Sequence, residues 1–375
     1  MNLQNTEISS RRLELPETLS IEVTTRCNCE CCHCFARARS SPPSQLPFEV
    51  VKDIIAEGYL IGYRHLHITG GEPLLWPDLF KALDFAFKLQ FKTVFLNTNG
   101  TLLTNDICKT LSKYDNLAIS LSLEGSPDIH NYFRGDGSYA SATNGLKTSL
   151  NNNLNLFIFT TLCKSLLPHL PRFVFNLYRT FPGIRDLTLI RLFLPSNLSS
   201  HLSCQLLSPS DFLHFVQTAS FLNIIGFRTA VLDDPLVTVV SKVLGVPCIP
   251  RSLPPERSGR LVVLANGDIS CHHSSGTVFG KYSFGMLSEV LLSDRYRQRF
   301  KPDTIKCPSC KYVFLCRSNN IQHPSFSSVK GDDYSLFCRS VLDLLFSTNT
   351  RSIPFFCRSR IFFTTEQLTM LDSRQ

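Results

Sequence analysis

The sequence predicts an α/β protein: a partial (β/α)6 TIM-like barrel followed by a small irregular domain with a β-hairpin. Two observations predict it. From residue 20 to about 192, short runs rich in Ile, Val, Phe, Leu and Thr alternate with longer amphipathic segments, as in βα units around a parallel sheet. After about residue 230 the alternation gives way to Pro-rich pieces such as Val246–Pro255, and helical periodicity weakens.

Strands are expected at Ile21–Thr24, His65–Thr69, Thr93–Asn97, Leu117–Ser122, Leu156–Thr161 and Leu187–Leu192, each followed by Gly, Asn, Asp, Ser or Pro. Between them, apolar residues recurring at three- and four-residue spacing predict helices over Phe48–Tyr59, Leu79–Leu89 and Ser141–Asn151. Later, Asn266-Gly267 lies between Leu-Val-Val-Leu-Ala and Asp-Ile-Ser-Cys, which predicts a hairpin over Leu261–His272 with a type I′ two-residue turn. The organisation expected is a tail over 1–16, the barrel over 17–230, the smaller domain over 231–340 and an unassigned tail over 341–375.

The bulk composition excludes several classes. With 43% apolar and 18% charged residues in 375, the chain is neither disordered nor fibrous. No stretch approaches the roughly 20 apolar residues of a membrane span. Met1–Pro16 is polar and has no apolar core of a signal peptide, so no membrane partner and a cytoplasmic location are expected. The net charge of +8 is spread without basic runs, which argues against a nucleic-acid partner.

The 15 cysteines are unevenly placed, and without an export signal that points to metal or cluster ligation. Cys27, Cys31 and Cys34 follow the first strand, and loops after strand C-termini form the active face of parallel barrels. Soft thiolates select iron–sulfur clusters or zinc. Four cysteines close a [4Fe–4S] cluster of the electron-transfer type, whereas three leave one iron open to chelate the amino and carboxylate groups of a methionine moiety. Cys29 and Cys32 are bystanders on that reading, or complete a four-thiolate zinc site. From this run alone both stay open.

Further motifs sit at the ends of later strands. In Gly70-Gly71-Glu72-Pro73 the glycines let backbone approach a ligand and Glu72 offers a carboxylate to an ammonium group, unless this is an ordinary glycine turn. Asn97-Thr-Asn-Gly100 and Ser122-Leu-Glu-Gly125 end the third and fourth strands, and His130-x2-Phe133-Arg134-Gly135 follows. The Ser122 hydroxyl suits a sugar diol or a strand-end cap; Arg134 suits a carboxylate or a surface salt bridge.

Together these motifs resemble the radical S-adenosylmethionine (radical SAM) family over most of residues 20–192. The resemblance implies a catalytic [4Fe–4S] cluster on Cys27, Cys31 and Cys34, and S-adenosyl-L-methionine (SAM) cleaved reductively to a 5′-deoxyadenosyl radical. It implies SAM contacts from Gly70, Gly71, Glu72, Asn99, Ser122 and Arg134: the glycine loop receives the methionine amino group, Ser122 the ribose and Arg134 the carboxylate.

Cys307-x2-Cys310-x5-Cys316, then Cys338, resembles the family's C-terminal SPASM domain, which makes the second region a cluster-binding domain with an auxiliary [4Fe–4S] cluster. From spacing alone, a four-cysteine structural zinc is the alternative. Cys248 and Cys271 match two positions of a further auxiliary cluster, but Asn320 stands where the family often has a cysteine. His272, His273, His323 or Cys357 could complete that set; two clusters are expected.

SPASM-bearing relatives mostly modify peptides or proteins, so the resemblance implies a peptide or protein substrate and a low-potential electron donor such as flavodoxin or ferredoxin. The sulfatase-maturase branch has an aspartate where this chain has His272, which argues against that branch. Tetrapyrrole side-chain chemistry in haem biosynthesis is the runner-up, and a zinc-stabilised interaction protein is the alternative from a different class. No catalytic acid or base is identified.

Overall fold

The computed structural model describes residues 18–34, 43–192, 200–232, 234–247, 249–250, 261–271, 273, 278–298, 311–312 and 334–347. Cys248, His272, Cys307, Cys310, Cys316, His323 and Cys357 lie outside the described residues.

The architecture follows from period-two alternation. Along β1 (Thr18–Glu22), Leu19 and Ile21 point to one face, and Thr18, Ser20 and Glu22 to the other. The same alternation recurs in β2 (His65–Thr69), β3 (Thr93–Thr98), β4 (Leu117–Ser122), β5 (Asn155–Leu162) and β6 (Asp186–Arg191). Each pairs in parallel with the next, and β7 (Thr229–Val231) adds a further parallel strand beside β6. The connections are α1 (Phe48–Ile61), α2 (Leu79–Lys88), α3 (Asn105–Leu111), α4 (Pro127–Arg134), α5 (Ser138–Asn151), α6 (Leu170–Thr180) and α7 (Pro209–Ile224).

Leu19, Ile21, Leu66, Ile68, Val94, Leu96, Ile119 and Ile158 are fully buried in one core with Val51, Ile54, Leu83 and Leu146 of the helices. Each such side chain contributes about 1.5–3 kcal/mol relative to an exposed one. The opposite face of the sheet lines the barrel's lumen. Its residues include Ser20, Glu22, His67, Asn97 and Ser120, while Phe95, Ala118 and Phe157 form a separate apolar cluster there.

The later segment is α8 (Pro235–Leu244), β8 (Leu261–Val263), β9 (Asp268–Ser270), β10 (Gly280–Lys281), α9 (Met286–Leu292), α10 (Asp294–Gln298) and α11 (Tyr334–Ser347). The sheet runs β10-β9-β8-β1-β2-β3-β4-β5-β6-β7, with β10 and β7 at its ends, so the barrel is partial. β8 pairs in parallel with β1, which joins the hairpin to the barrel sheet. Among the described residues, no helix is long and apolar enough to cross a membrane.

Three expectations are corrected. β1 starts at Thr18, earlier than expected, because polar lumen residues occupy alternate positions and hide the first half of the strand. The hairpin turn is not type I′. Gly267 has φ 84° but Asn266 has no positive φ, and the Gly267 N–H donates to the Leu264 carbonyl, giving a longer loop with one left-handed glycine. α8 stands where helical periodicity was expected to weaken: its β-branched run conceals a helix that Asp234 caps by accepting from the Leu236 N–H, with Pro235 in its first turn.

Glu57 ties the late segment to the barrel. Only 3% exposed, it accepts from the Leu287 N–H at 2.9 Å and the Ser288 N–H at 3.3 Å, at the start of α9. A carboxylate there satisfies donors that the helix leaves unpaired. Glu57→Ala is expected to cost about 1.5–3 kcal/mol in urea unfolding and to speed hydrogen exchange at the Leu287 amide, with Glu57→Gln milder because it keeps an acceptor. Unchanged exchange in Glu57→Ala would remove this role.

Candidate active site

The segment after β1 leaves the sheet at Val23, whose N–H still donates to the Thr69 carbonyl, and bridges from Thr24 to Gln45. Cys27, Cys31 and Cys34 follow at the C-terminal end of the strand, as expected. With no regular structure of its own, this loop is fixed by its neighbours. The Gly71 N–H donates to the Thr24 carbonyl at 2.7 Å and the Glu72 N–H to the Arg26 carbonyl at 2.8 Å. A Cβ on Gly70 would lie 2.4 Å from the Thr24 carbonyl oxygen, and one on Gly71 2.2 Å from that of Arg26. The paired glycines thus admit the backbone of the cysteine loop.

Glu72 is fully buried. Its Oε1 accepts from the Leu74 N–H at 3.2 Å and the Thr98 hydroxyl at 2.8 Å, and its Oε2 from the Asn99 N–H at 2.8 Å. Burial pushes its carboxyl up to about 7 against those donors. The carboxylate is enclosed by the fold's own donors rather than open to a ligand ammonium. Asn99 carries the connection onward: its Nδ2 donates to Asn28 Oδ1 at 2.8 Å and lies 3.9 Å from Cys27 Sγ, while its Oδ1 accepts from Thr101.

A second buried network holds the other side of the loop. Arg134 donates through Nε (2.9 Å) and Nη2 (2.6 Å) to Glu124 Oε1, and its Nη1 lies 3.8 Å from Cys31 Sγ. Glu124 also accepts from the Thr161 N–H, and His33 Nε2 lies 3.6 Å away. Burial alone would push the Glu124 carboxyl up, but Arg134 and His33 hold it well below the usual carboxylate range. This is a buried pair, not the surface salt bridge weighed from sequence. Glu124 stands inside Ser122-Leu-Glu-Gly125 and His33 inside the cysteine run, yet nothing in the pattern marks their pairing with Arg134.

The cysteines differ in environment. A hydrogen bond from Cys29 lowers Cys27 to about 6, and Cys29 itself is raised. Burial pushes Cys31 up to about 11. Cys32 turns to the Tyr132 carbonyl, 3.8 Å from its Sγ, and packs with Phe133, Cys163 and Leu166. Among the described residues, no three of His, Cys, Asp and Glu are grouped to hold a metal ion. The donor set suits thiolate ligation: the Cys29 N–H (3.4 Å) and Asn99 Nδ2 approach Cys27 Sγ, Arg134 Nη1 approaches Cys31 Sγ, and N–H groups directed at sulfur tune cluster thiolates.

Ser122, half-buried, ends β4 on the same rim. Cys271 is buried just after β9, and Cys338 lies half-buried on α11 against the main core. His273 Nδ1 lies 3.7 Å from Glu22 Oε2.

Residues 21–165 match the model of the Radical SAM superfamily. The chain is 31% identical over 138 residues to mycofactocin maturase MftC of Mycobacterium tuberculosis, covering 36% of this chain and 35% of that protein. It is 33% identical over 152 residues to AdoMet-dependent heme synthase of Methanosarcina barkeri, covering 40% and 43%. These matches span less than half the length of the curated relatives. In fold, it is similar to native anSMEcpe with bound AdoMet (TM-score 0.68, 17% identity, covering 96% of this chain and 100% of that one). It is likewise similar to Streptococcus suis SuiB bound to S-adenosylmethionine (TM-score 0.63, 17% identity, covering 80% and 72%).

Arg134→Ala leaves Glu124, 1% exposed, without its cation, and is expected to cost about 3–5 kcal/mol near neutral pH in urea unfolding. The sign of the pH dependence follows from Glu124. In the parent its lowered carboxyl gives stability that is present above the ordinary carboxylate range and lost as pH falls. In the variant, burial lets Glu124 take up a proton, so the gap between the two should narrow as pH falls. A gap that widens toward acid would contradict the assignment.

Proposed function

We propose, from the match of residues 21–165 to the Radical SAM superfamily model, that the chain cleaves SAM reductively to a 5′-deoxyadenosyl radical and modifies a ribosomally made peptide or protein by hydrogen abstraction. The observation that carries this reading is the cysteine loop at the barrel mouth, with N–H donors aimed at Cys27 and Cys31.

On this reading Cys27, Cys31 and Cys34 hold a [4Fe–4S] cluster with one open iron, which when bound supplies the electron that breaks the sulfonium C–S bond of SAM. The chain's own residues bind and orient. Ser122 is placed for the ribose. With the Glu72 carboxylate enclosed, the main chain of Gly70 and Gly71 receives the amino group. Arg134, committed to Glu124 through Nε and Nη2, keeps Nη1 for Cys31 and the cofactor's carboxylate.

A peptide substrate is supported by similarity to MftC and to the Bacillus subtilis subtilosin biosynthesis protein AlbA, 30% identical over 145 residues. Like folds also accommodate peptides, as in anSMEcpe with Kp18Cys peptide and SuiB with its precursor peptide SuiA. Similarity to heme synthases of comparable extent favours a tetrapyrrole as the second reading. Cys307, Cys310, Cys316 and Cys338 are proposed as ligands of an auxiliary [4Fe–4S] cluster in a SPASM-like domain over 231–340, with a flavodoxin or ferredoxin as electron donor in the cytoplasm.

Reconstituted without oxygen and reduced with dithionite, the protein should convert SAM to 5′-deoxyadenosine and methionine and carry about eight irons. Alanine at Cys27, Cys31 and Cys34 together should abolish turnover and leave about half of the iron. Cys29→Ala and Cys32→Ala should retain turnover. Turnover that survives the triple change, or a colourless protein that binds zinc, would overturn the reading.

A further inference from the structure

The lumen holds polar groups that the proposed cofactor contacts do not use. Asn97 on β3 and Ser120 on β4 are register partners, side by side on the lumen face. Ser120 is 1% exposed and its Oγ has no hydrogen-bond partner; Asn97 Oδ1 is likewise buried and unpartnered. Folded proteins rarely leave buried polar atoms unpaired, and each one left so lowers stability. Folded proteins keep such local violations mainly at functional or strained sites.

Their position fits a ligand. Phe95 and Ala118 pair one layer deeper, and Phe157 of β5 is the register partner of Ser120, so the three form an apolar cluster beneath and beside the polar pair. Asn99, which reaches Cys27, stands two residues further toward the mouth, a rise of roughly 7 Å along a strand. A group seated on Asn97 and Ser120 therefore lies about one layer below the cysteine loop. On the same face, β1 contributes the Glu22 carboxylate, with His273 Nδ1 3.7 Å away, and Ser20, whose Oγ lies 2.5 Å from His67 Nδ1.

We propose that Asn97 and Ser120 form a ledge that binds an uncharged amide of the substrate, a peptide bond or a side-chain carboxamide. A carboxamide presents one donor and one acceptor in a plane, the complement of a second amide, and the serine hydroxyl supplies a further donor or acceptor. An anionic substrate group on this face would meet the Glu22 carboxylate, and like charges disfavour each other. This inference rests on the proposed peptide-modifying activity and deepens it by naming the group that is held.

The test uses the full chain without an identified substrate. Unpartnered groups predict that Ser120→Ala and Asn97→Leu hold or raise the urea midpoint; a fall in either would show that the fold itself uses these atoms and would overturn the ledge. With asparagine labelled in nitrogen-15, the Asn97 side-chain resonances are identified by their loss in Asn97→Leu. N-acetylglycinamide is expected to shift them, and sodium propionate at the same concentration is not. In Ser120→Ala the shift at a given concentration should fall at least about threefold. No shift with the amide, an undiminished shift in Ser120→Ala, or an equal or larger shift with propionate would each overturn the proposal. Formation of 5′-deoxyadenosine by the unaltered protein is measured separately, so loss of the ledge and loss of the radical SAM reading are distinguishable.

Discussion

Two absent Cβ atoms govern the site. The cysteine loop has little regular structure, so its shape comes from the strand-end loops pressed against it. That contact exists because Gly70 and Gly71 let Thr24 and Arg26 come within a distance that any side chain would forbid. Once the loops meet, Glu72 is enclosed and gathers the Asn99 and Thr98 donors, and Asn99 in turn reaches Cys27. The dependence runs one way, from backbone approach to buried carboxylate to sulfur. Any side chain at Gly71 would act on Cys27 from a distance, without touching it.

Strands β2 to β6 were legible because each is a short β-rich run ended by turn residues, and His65–Thr69 and Leu117–Ser122 are found with the expected bounds, whereas the three-residue β7 was not expected. The misread elements share a cause. In β1 the lumen-facing Thr18 and Ser20 look like loop, and in α8 the run Leu-Val-Thr-Val-Val looks like strand. In both, tertiary packing overrides local propensity. The helix start at Asp234-Pro235 was a readable cap signal set against a misleading composition.

The candidate residues can be picked out along the chain, but the contacts between them cannot. Spacing marks Cys27, Cys31 and Cys34 as candidates, and motif resemblance marks Ser122 and Arg134, because these are patterns along the chain. Which carboxylate Arg134 meets depends on residues ten positions apart brought together across a strand end and a helix, with Thr161 contributed by a neighbouring strand. No periodicity encodes that. Glu72 shows the converse: a carboxylate in a glycine loop reads as a ligand group, yet burial makes it a brace.

The parallel pairing of β8 with β1 bears on how the chain comes to be folded. On the ribosome, β1 emerges among the earliest structured segments, and β2 can join one side of it soon afterwards. Its other edge waits for Leu261–Val263, more than two hundred residues later. Throughout that interval β1 presents open backbone groups, and contacts of such long sequence separation form slowly. An unpaired strand edge of this kind favours strand exchange with neighbouring chains until the hairpin arrives. Sealing of the first strand is thereby coupled to synthesis of the last part of the sheet, so a chain truncated before residue 261 would keep an open β1 edge.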